Sequence, residues 1–377
     1  MVSPPADFAC PSASWAAARS LLAFAAPLVL ASCGLLAISD LAGHPWLTLF
    51  VLGLDFVAFA VVVRRLETRS ATLGSALLGG ALLIRLPLLA LSPTLSDDVW
   101  RYLWDGHVAT AAENPYLHAP EDPALSRLRD ARWERLPHKQ VPTVYPPLAM
   151  AAFSIASHSP APLLTWKLIA CAADLLACWL LFRLAQVAGR PPVRALWYAW
   201  NPLVALEVAG MGHVDALGAV AVIATVLWLI EKPRVAGGVP WNAGVAAAAG
   251  VLVKLAPLAA LPLWAKRSGR PVAFGAIALG LSALALAPVV ISTGGIPPGL
   301  TTYGVSWEWN GPLYEPLWRL LEYLGADRAA QATLDALKGW TGQHGFWNRF
   351  YPFAYPRFLA KLLLGGLAVA AVVASLR

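Results

Sequence analysis

Charge is scarce in this 377-residue chain, with only 13% of residues Asp, Glu, Lys or Arg. A soluble globular domain carries about a quarter. That shortage, with 58% hydrophobic residues and a mean hydropathy of +0.61, excludes an ordinary soluble domain. Cysteine is scarce too. The four cysteines, Cys10, Cys33, Cys171 and Cys178, stand in no CxxC or CxxH context. Cys171 and Cys178 share one apolar run, so neither a disulfide framework nor a cysteine zinc site is indicated. A basic, cleavable leader is missing: Pro4, Pro5 and Asp7 precede Arg19, and the first apolar run reads as a retained span. No internal repeat stands out.

What is present is a series of apolar runs, each long enough to cross about 30 Å of hydrocarbon. They lie near 16–39, 46–63, 71–92, 163–182, 195–210, 214–230, 271–292 and 358–376. The expected fold is all-α, a polytopic helical membrane bundle forming a single domain over 1–377. The net charge of +7 comes from 28 basic and 21 acidic residues. The bases gather in short loops: Arg64, Arg65 and Arg69; Arg183, Arg190 and Arg194; Lys232 and Arg234; Lys266, Arg267 and Arg270. The positive-inside rule accounts for them without a nucleic-acid partner. Setting them all in the cytoplasm puts the N-terminus inside and leaves 93–145 and 293–354 as outer loops, with interfacial helices in the long one.

Two apolar stretches do not fit as simple spans. Residues 146–158 are short and open on Pro146 and Pro147, which predicts a half-helix dipping in from outside. Residues 241–264 have basic flanks at both ends and Lys254 and Pro257 in mid-run, which predicts a broken pair of half-helices entering from inside. Irregular backbone at that depth is tolerated only where protein or a cavity satisfies it, so the break hints at a buried site.

The outer loop 93–145 holds six bases against eight acids, opposite in sign to the whole chain. Its first stretch runs Ser96-Asp97-Asp98-Val99-Trp100-Arg101-Tyr102-Leu103-Trp104-Asp105-Gly106-His107. Ser96 has the chemistry of an N-cap, and the acids that follow suit the first turn of a helix. On such a helix Asp98, Arg101, Tyr102 and Asp105 fall on one face. An interfacial helix with Trp100, Tyr102 and Trp104 as an aromatic belt would show the same residues. Further motifs weaken that plain reading. Asn114-Pro115-Tyr116 and Tyr145-Pro146-Pro147 bracket the loop, and Trp200-Asn201-Pro202 breaks a span. Gly212-His213-Val214-Asp215 forms a tight turn, and Trp307-Glu308-Trp309-Asn310-Gly311 lies in the second outer segment. With Lys254, these motifs put acids, an imidazole, aromatic rings and a cation near one membrane face. Charges so close to hydrocarbon read as functional by default.

In this order the motifs Asp98-x-x-Arg101-Tyr102-x-Trp104-Asp105-Gly106, Asn114-Pro115-Tyr116, Tyr145-Pro146-Pro147, Asn201-Pro202, Gly212-His213-x-Asp215-Ala216 and Lys254 resemble the polytopic GT-C glycosyltransferases. Within them the chain is most similar to bacterial polyprenyl-phosphate-mannose-dependent mannosyltransferases, over about residues 70–320. Val214 stands where the family pattern has Asn. The resemblance implies an enzyme of the bacterial plasma membrane with its active site outward. It would move a sugar, expected to be mannose, from a polyprenyl-phosphate donor to a glycolipid or glycan hydroxyl, with inversion. Asp98 would be the catalytic base, with Asp97 the alternative. Tyr102, Tyr145, Trp309 and Asn310 would bind substrate. Asp105 would hold Arg101 or a sugar hydroxyl. Lys254, Arg101 and His213 are the candidates to meet the phosphate, and His213 with Asp215 could equally bind the sugar. A divalent metal is compatible with this chemistry, but no motif demands one. The competing reading is a transporter or flippase of a lipid-linked sugar. Against it stand the missing repeat and acids that cluster at one face rather than at mid-membrane.

Overall fold

The structure, a computed structural model, describes residues 11–67, 74–231, 239–307, 311–348 and 350–375. Arg69, Lys232, Arg234, Glu308, Trp309 and Asn310 lie outside the described residues. Among the described residues every regular element is a helix. Three helices are individually long and apolar enough to cross a membrane: Pro45–Leu66, Pro162–Val187 and Pro271–Thr293. Their large side chains face outward as well as inward, Val272 being 84% and Ile291 79% exposed. Apolar surface of that extent is what lipid covers, and the chain is a membrane protein.

The first three helices, α1 (Pro11–Ile38), α2 (Pro45–Glu67) and α3 (Gly74–Leu89), pack together. Leu28, Leu35, Phe59, Val63, Leu77 and Ile84 bury one another at their contact. Two buried basic side chains inside this apolar body are paired. Arg85 on α3 bonds Asp174 on the Pro162–Val187 helix, and its Nη1 also donates to the carbonyls of Ala81 (2.9 Å) and Ala199 (2.8 Å). Lys167 reaches the end of α3, where its Nζ donates to Leu91 O at 2.5 Å and to Leu88 O and Leu89 O at 3.2 Å. A cation on those last carbonyls satisfies acceptors that the helix leaves open and complements its dipole.

The run expected near 195–210 is not one helix. A short turn at Leu196–Ala199 stops at Trp200, whose indole donates to Leu77 O at 2.9 Å. Asn201 then caps a new start, accepting from Leu203 N (2.9 Å) and Val204 N (3.4 Å), with Pro202 at the first helical position. The Asn201-Pro202 pair therefore acts as a helix restart. This stretch ends in a wide π turn over Leu206–Gly210, a departure frequent at functional sites.

The stretch 241–264 breaks where expected. A helix over Trp241–Val253 stops at Lys254, which is extended at φ −153 and ψ 133. A 3-10 turn (Ala256–Ala260) and a short helix (Leu261–Arg267) lead away. The Trp241–Val253 helix packs against Asp215–Glu231, and Lys254 at its end meets Asp215 at that helix's start. The two therefore run antiparallel.

Residues 98–110 form the expected helix, α4 (Asp98–Thr110). Its packing partner is the half-helix Pro147–Ser157, which begins on the two prolines. The approach is close because of Gly106. A Cβ there would strike the Phe153 carbonyl, and the Ser157 hydroxyl donates to Leu103 O at 2.7 Å across the same contact. Gly106→Ala is expected to destabilise the protein by roughly 1–3 kcal/mol, the usual penalty of overpacking. A thermal melt of the detergent-solubilised variant checks this, and an unchanged midpoint contradicts it.

The second outer segment, expected as a loop, is largely helical, with Pro298–Ser306, Gly311–Tyr323 and Ala326–Thr341. These helices are too short or too polar to register as spans. Gly299 lies directly against the carbonyls of Pro142 and Thr143, and the rings of Trp307 and His138 are 4.4 Å apart. The two outer segments thus touch.

Candidate active site

One apolar cluster organises the site. Val99, Tyr102, Phe153, Trp166, Val214 and Val253 are all buried in it. Three of these valines are sequence neighbours of charged residues: Val99 follows Asp98, Val214 separates His213 from Asp215, and Val253 precedes Lys254. Burying the valines therefore brings those four charged groups around a common floor. The rings beneath are tightly ordered. Tyr102 stacks on Phe153 at 4.7 Å and meets Tyr145 (5.1 Å) and Trp166 (5.5 Å) edge-on. Burial raises the Tyr102 and Tyr145 hydroxyls well above the ordinary phenol range, and nearby Asp98 adds to both. Both phenols stay protonated and can donate.

His213 is the best-connected residue. Gly212, at φ +77, takes the left-handed turn that glycine adopts without strain, and its carbonyl accepts from the Trp166 indole at 2.6 Å. That fixes the turn. The His213 Nδ1 lies 2.5 Å from a Glu207 oxygen, while Nε2 lies 3.0 Å from Ser96 Oγ and 4.0 Å from Asp98 Oδ2. Lys254 Nζ is 2.5 Å from Asp215 Oδ1. Asp98, Asp215 and Lys254 are about half exposed, so charged groups stand open above an aromatic floor.

The face expected to carry four substrate groups divides in two. Asp98 stays exposed at the helix start, with its N–H donating to Ser96 Oγ at 3.3 Å. Arg101, Tyr102 and Asp105 turn into the protein. Arg101, a candidate for the phosphate, spends its guanidinium elsewhere: on Asp105 (2.8 Å) and on the carbonyls of His138 (3.3 Å) and Val141 (2.6 Å). It clamps the loop, and of the two roles open to Asp105 the structure gives it the grip on Arg101. The bracketing motifs are also structural. Asn114 Oδ1 accepts from Tyr116 N at 2.9 Å, and the Tyr116 hydroxyl donates to Tyr145 O at 2.9 Å, holding Tyr145 against Tyr102. Asp97 lines a separate cavity to which Asp98 does not contribute. Val214 is fully buried as a floor residue.

Residues 12–268 match the family described as alpha-(1->6)-mannopyranosyltransferase, N-terminal domain. The chain belongs to this family. Its activity is accordingly that of a glycosyltransferase handling mannose. No curated protein and no solved structure matches the chain. The family match spans Asp98, Glu207, His213, Asp215 and Lys254, so the whole charged ring of this mannosyltransferase falls within it. Among the described residues no group of three or more His, Cys, Asp or Glu is arranged to hold a metal ion.

Sequence reading passed over Glu207. It lies inside an apolar run, and an ionisable residue at such a place is itself the signal that should have marked it. Its effect falls on His213. Burial pushes the imidazole down, but the Glu207 hydrogen bond and charge, with Asp98 and Asp215 behind them, raise it above the ordinary 6.5. A raised histidine contributes stability that is fully present below 6.5 and is lost as pH rises through its folded value. Glu207→Gln is expected to lower the His213 titration, so that the alkaline limb of transfer moves to lower pH. Histidine NMR and a pH–rate profile check both, and an unmoved titration contradicts the pairing.

Proposed function

We propose that this mannosyltransferase takes mannose from a polyprenyl-phosphate donor and passes it to a mannoside hydroxyl on the external face of the plasma membrane, with inversion, in a GT-C-type bundle. The observation that carries the reading is Asp98: an exposed carboxylate, 4.0 Å from a cationic-leaning His213, on the same apolar floor as Lys254. The geometry suits a lipid-linked donor, because the charged ring sits directly on a membrane-embedded body.

In the proposed reaction the acceptor oxygen attacks the anomeric carbon. Its proton passes to the Asp98 carboxylate, and the bond from the anomeric carbon to the phosphate oxygen breaks. The electron pair leaves with the polyprenyl phosphate, where negative charge grows. Lys254 and protonated His213 are the cations placed to stabilise that charge. Asp215 and Glu207 hold them in position. In this proposal the half-buried Tyr145 meets the sugar, with the fully buried Tyr102 packed edge-on against it as part of the floor. Excluding water matters here, since water would compete as acceptor.

A single displacement giving an α product requires a β-linked donor. The test is proton NMR of the product made by purified protein in bilayer discs from β-mannosyl phosphoryl polyprenol and a mannoside acceptor. An α-linked product with release of polyprenyl phosphate is expected. A β product, or donor crossing a vesicle unchanged, overturns the proposal.

A further inference from the structure

Asp97 lines an opening to which Asp98 does not contribute. Asp40, Thr94, Asp97, Trp100, Glu134 and Arg135 line a cavity of about 560 Å³, within the range of small-molecule sites. Three separate parts of the chain build it. The turn after α1 brings Asp40, anchored by a bond from Leu41 N to Thr94 Oγ1 (3.0 Å). The start of α4 brings Asp97 and Trp100, and the short helix Ala131–Glu134 brings its last residue and Arg135. Arg135 lies over the Trp100 ring at 4.6 Å. None of Asp98, Glu207, His213, Asp215 or Lys254 lines this cavity, yet Asp97 and Asp98 are consecutive. The cavity therefore reaches to within one peptide of Asp98.

The wall chemistry selects a ligand class. Three carboxylates accept hydrogen bonds from hydroxyls, one guanidinium donates, and an indole offers an apolar edge. Three acids against one base disfavour a phosphate. The opening on the Asp98 side holds two cations against three acids, Asp98, Glu207 and Asp215, and is the less hostile of the two to phosphate. A neutral polyhydroxylated chain satisfies the donors and acceptors of the cavity without a charge penalty.

We propose that this cavity is the acceptor subsite, holding a neutral mannose oligosaccharide whose terminal hydroxyl reaches Asp98 across the Asp97–Asp98 peptide. It rests on the transferase reading above. The acceptor then reaches Asp98 from the Asp97 side, and in a single displacement its hydroxyl attacks the anomeric carbon on the face opposite the departing phosphate. The proposal gives Asp97 a role distinct from that of its neighbour: gripping the acceptor rather than taking its proton.

The experiment uses alpha-(1->6)-mannotriose as probe and the variants Asp40→Asn, Asp97→Asn, Glu134→Gln and Arg135→Gln. Saturation-transfer NMR reads trisaccharide binding to the full protein in detergent with no donor present, and steady-state assays read both KM values. Each variant is expected to weaken trisaccharide binding and to raise acceptor KM about tenfold, the scale of one lost hydrogen bond to a charged group, with donor KM unchanged. Wild-type protein that fails to bind the trisaccharide overturns the proposal, as do variants that keep wild-type acceptor KM or lose donor affinity equally. If the transferase reading fails but trisaccharide binding is seen and is lost in the variants, the cavity stands as a glycan site. If transfer is seen and the variants match wild type, the cavity assignment falls alone.

Discussion

Asp174→Ala is expected to destabilise the protein by about 3–5 kcal/mol, because it strips the buried Arg85 of its counter-ion. Both side chains are essentially inaccessible, at 1% and 0% exposed, inside an apolar bundle where a lone guanidinium has no water to turn to. The two carbonyls of Ala81 and Ala199 would remain as partners, but they carry no charge to offset it. The pair links α3 to the Pro162–Val187 helix, and Lys167 links the same two elements one level further on. Loosening it would therefore tilt α3, whose end leads straight into the segment carrying Asp98. Thermal unfolding of the detergent-solubilised variant, followed by size-exclusion profile, measures the loss. The double variant Arg85→Leu with Asp174→Leu should regain much of it, since removing both charges leaves no buried ion unpaired. A single variant within 0.5 kcal/mol of wild type, roughly the scatter of ordinary surface substitutions, would contradict the reading.

Asp98→Asn is expected to lower transfer by roughly 10²–10⁴-fold, the range ascribed to one positioned general base. Asn keeps the size and one acceptor oxygen but cannot take a proton at neutral pH. Asp98 is exposed and makes one contact in its own helix start, through its backbone N–H, so the substitution should leave folding and membrane insertion intact. The comparison with Asp97→Asn separates two adjacent residues that have identical chemistry. The first should lose kcat, and the second should lose acceptor affinity. Near-normal kcat in Asp98→Asn would remove the base from the proposal. The measurement is initial rate at saturating donor and acceptor, on protein confirmed monodisperse.

The helices were legible because apolar run length and proline position act locally. Pro146-Pro147 marked a helix start, and Trp200-Asn201-Pro202 and Lys254 each marked a break, where the structure also has one. The second outer segment was not legible as helix, since amphipathic helices such as Ala326–Thr341 carry too little hydropathy to stand out. In the site, periodicity put Asp98, Arg101, Tyr102 and Asp105 on one helical face but could not say what would cover it. The loop at His138–Val141 folds back onto Arg101, a contact between residues almost forty apart that no local pattern encodes. Nor could spacing reveal that Asp97 lines a cavity from which Asp98 is absent. The approach of Glu207 to His213 depends on the π turn, a backbone detail without a distinctive residue signature.

The central claim is that a lipid-phosphate sugar, rather than a nucleotide sugar, feeds the Asp98 site. Its most direct test gives the purified protein in bilayer discs labelled polyprenyl-phosphate mannose or labelled nucleotide mannose, each with the same mannoside acceptor, and follows label into the acceptor. Transfer from the polyprenyl donor with stoichiometric release of polyprenyl phosphate is expected, and none from the nucleotide donor. Transfer from the nucleotide donor alone would contradict the claim.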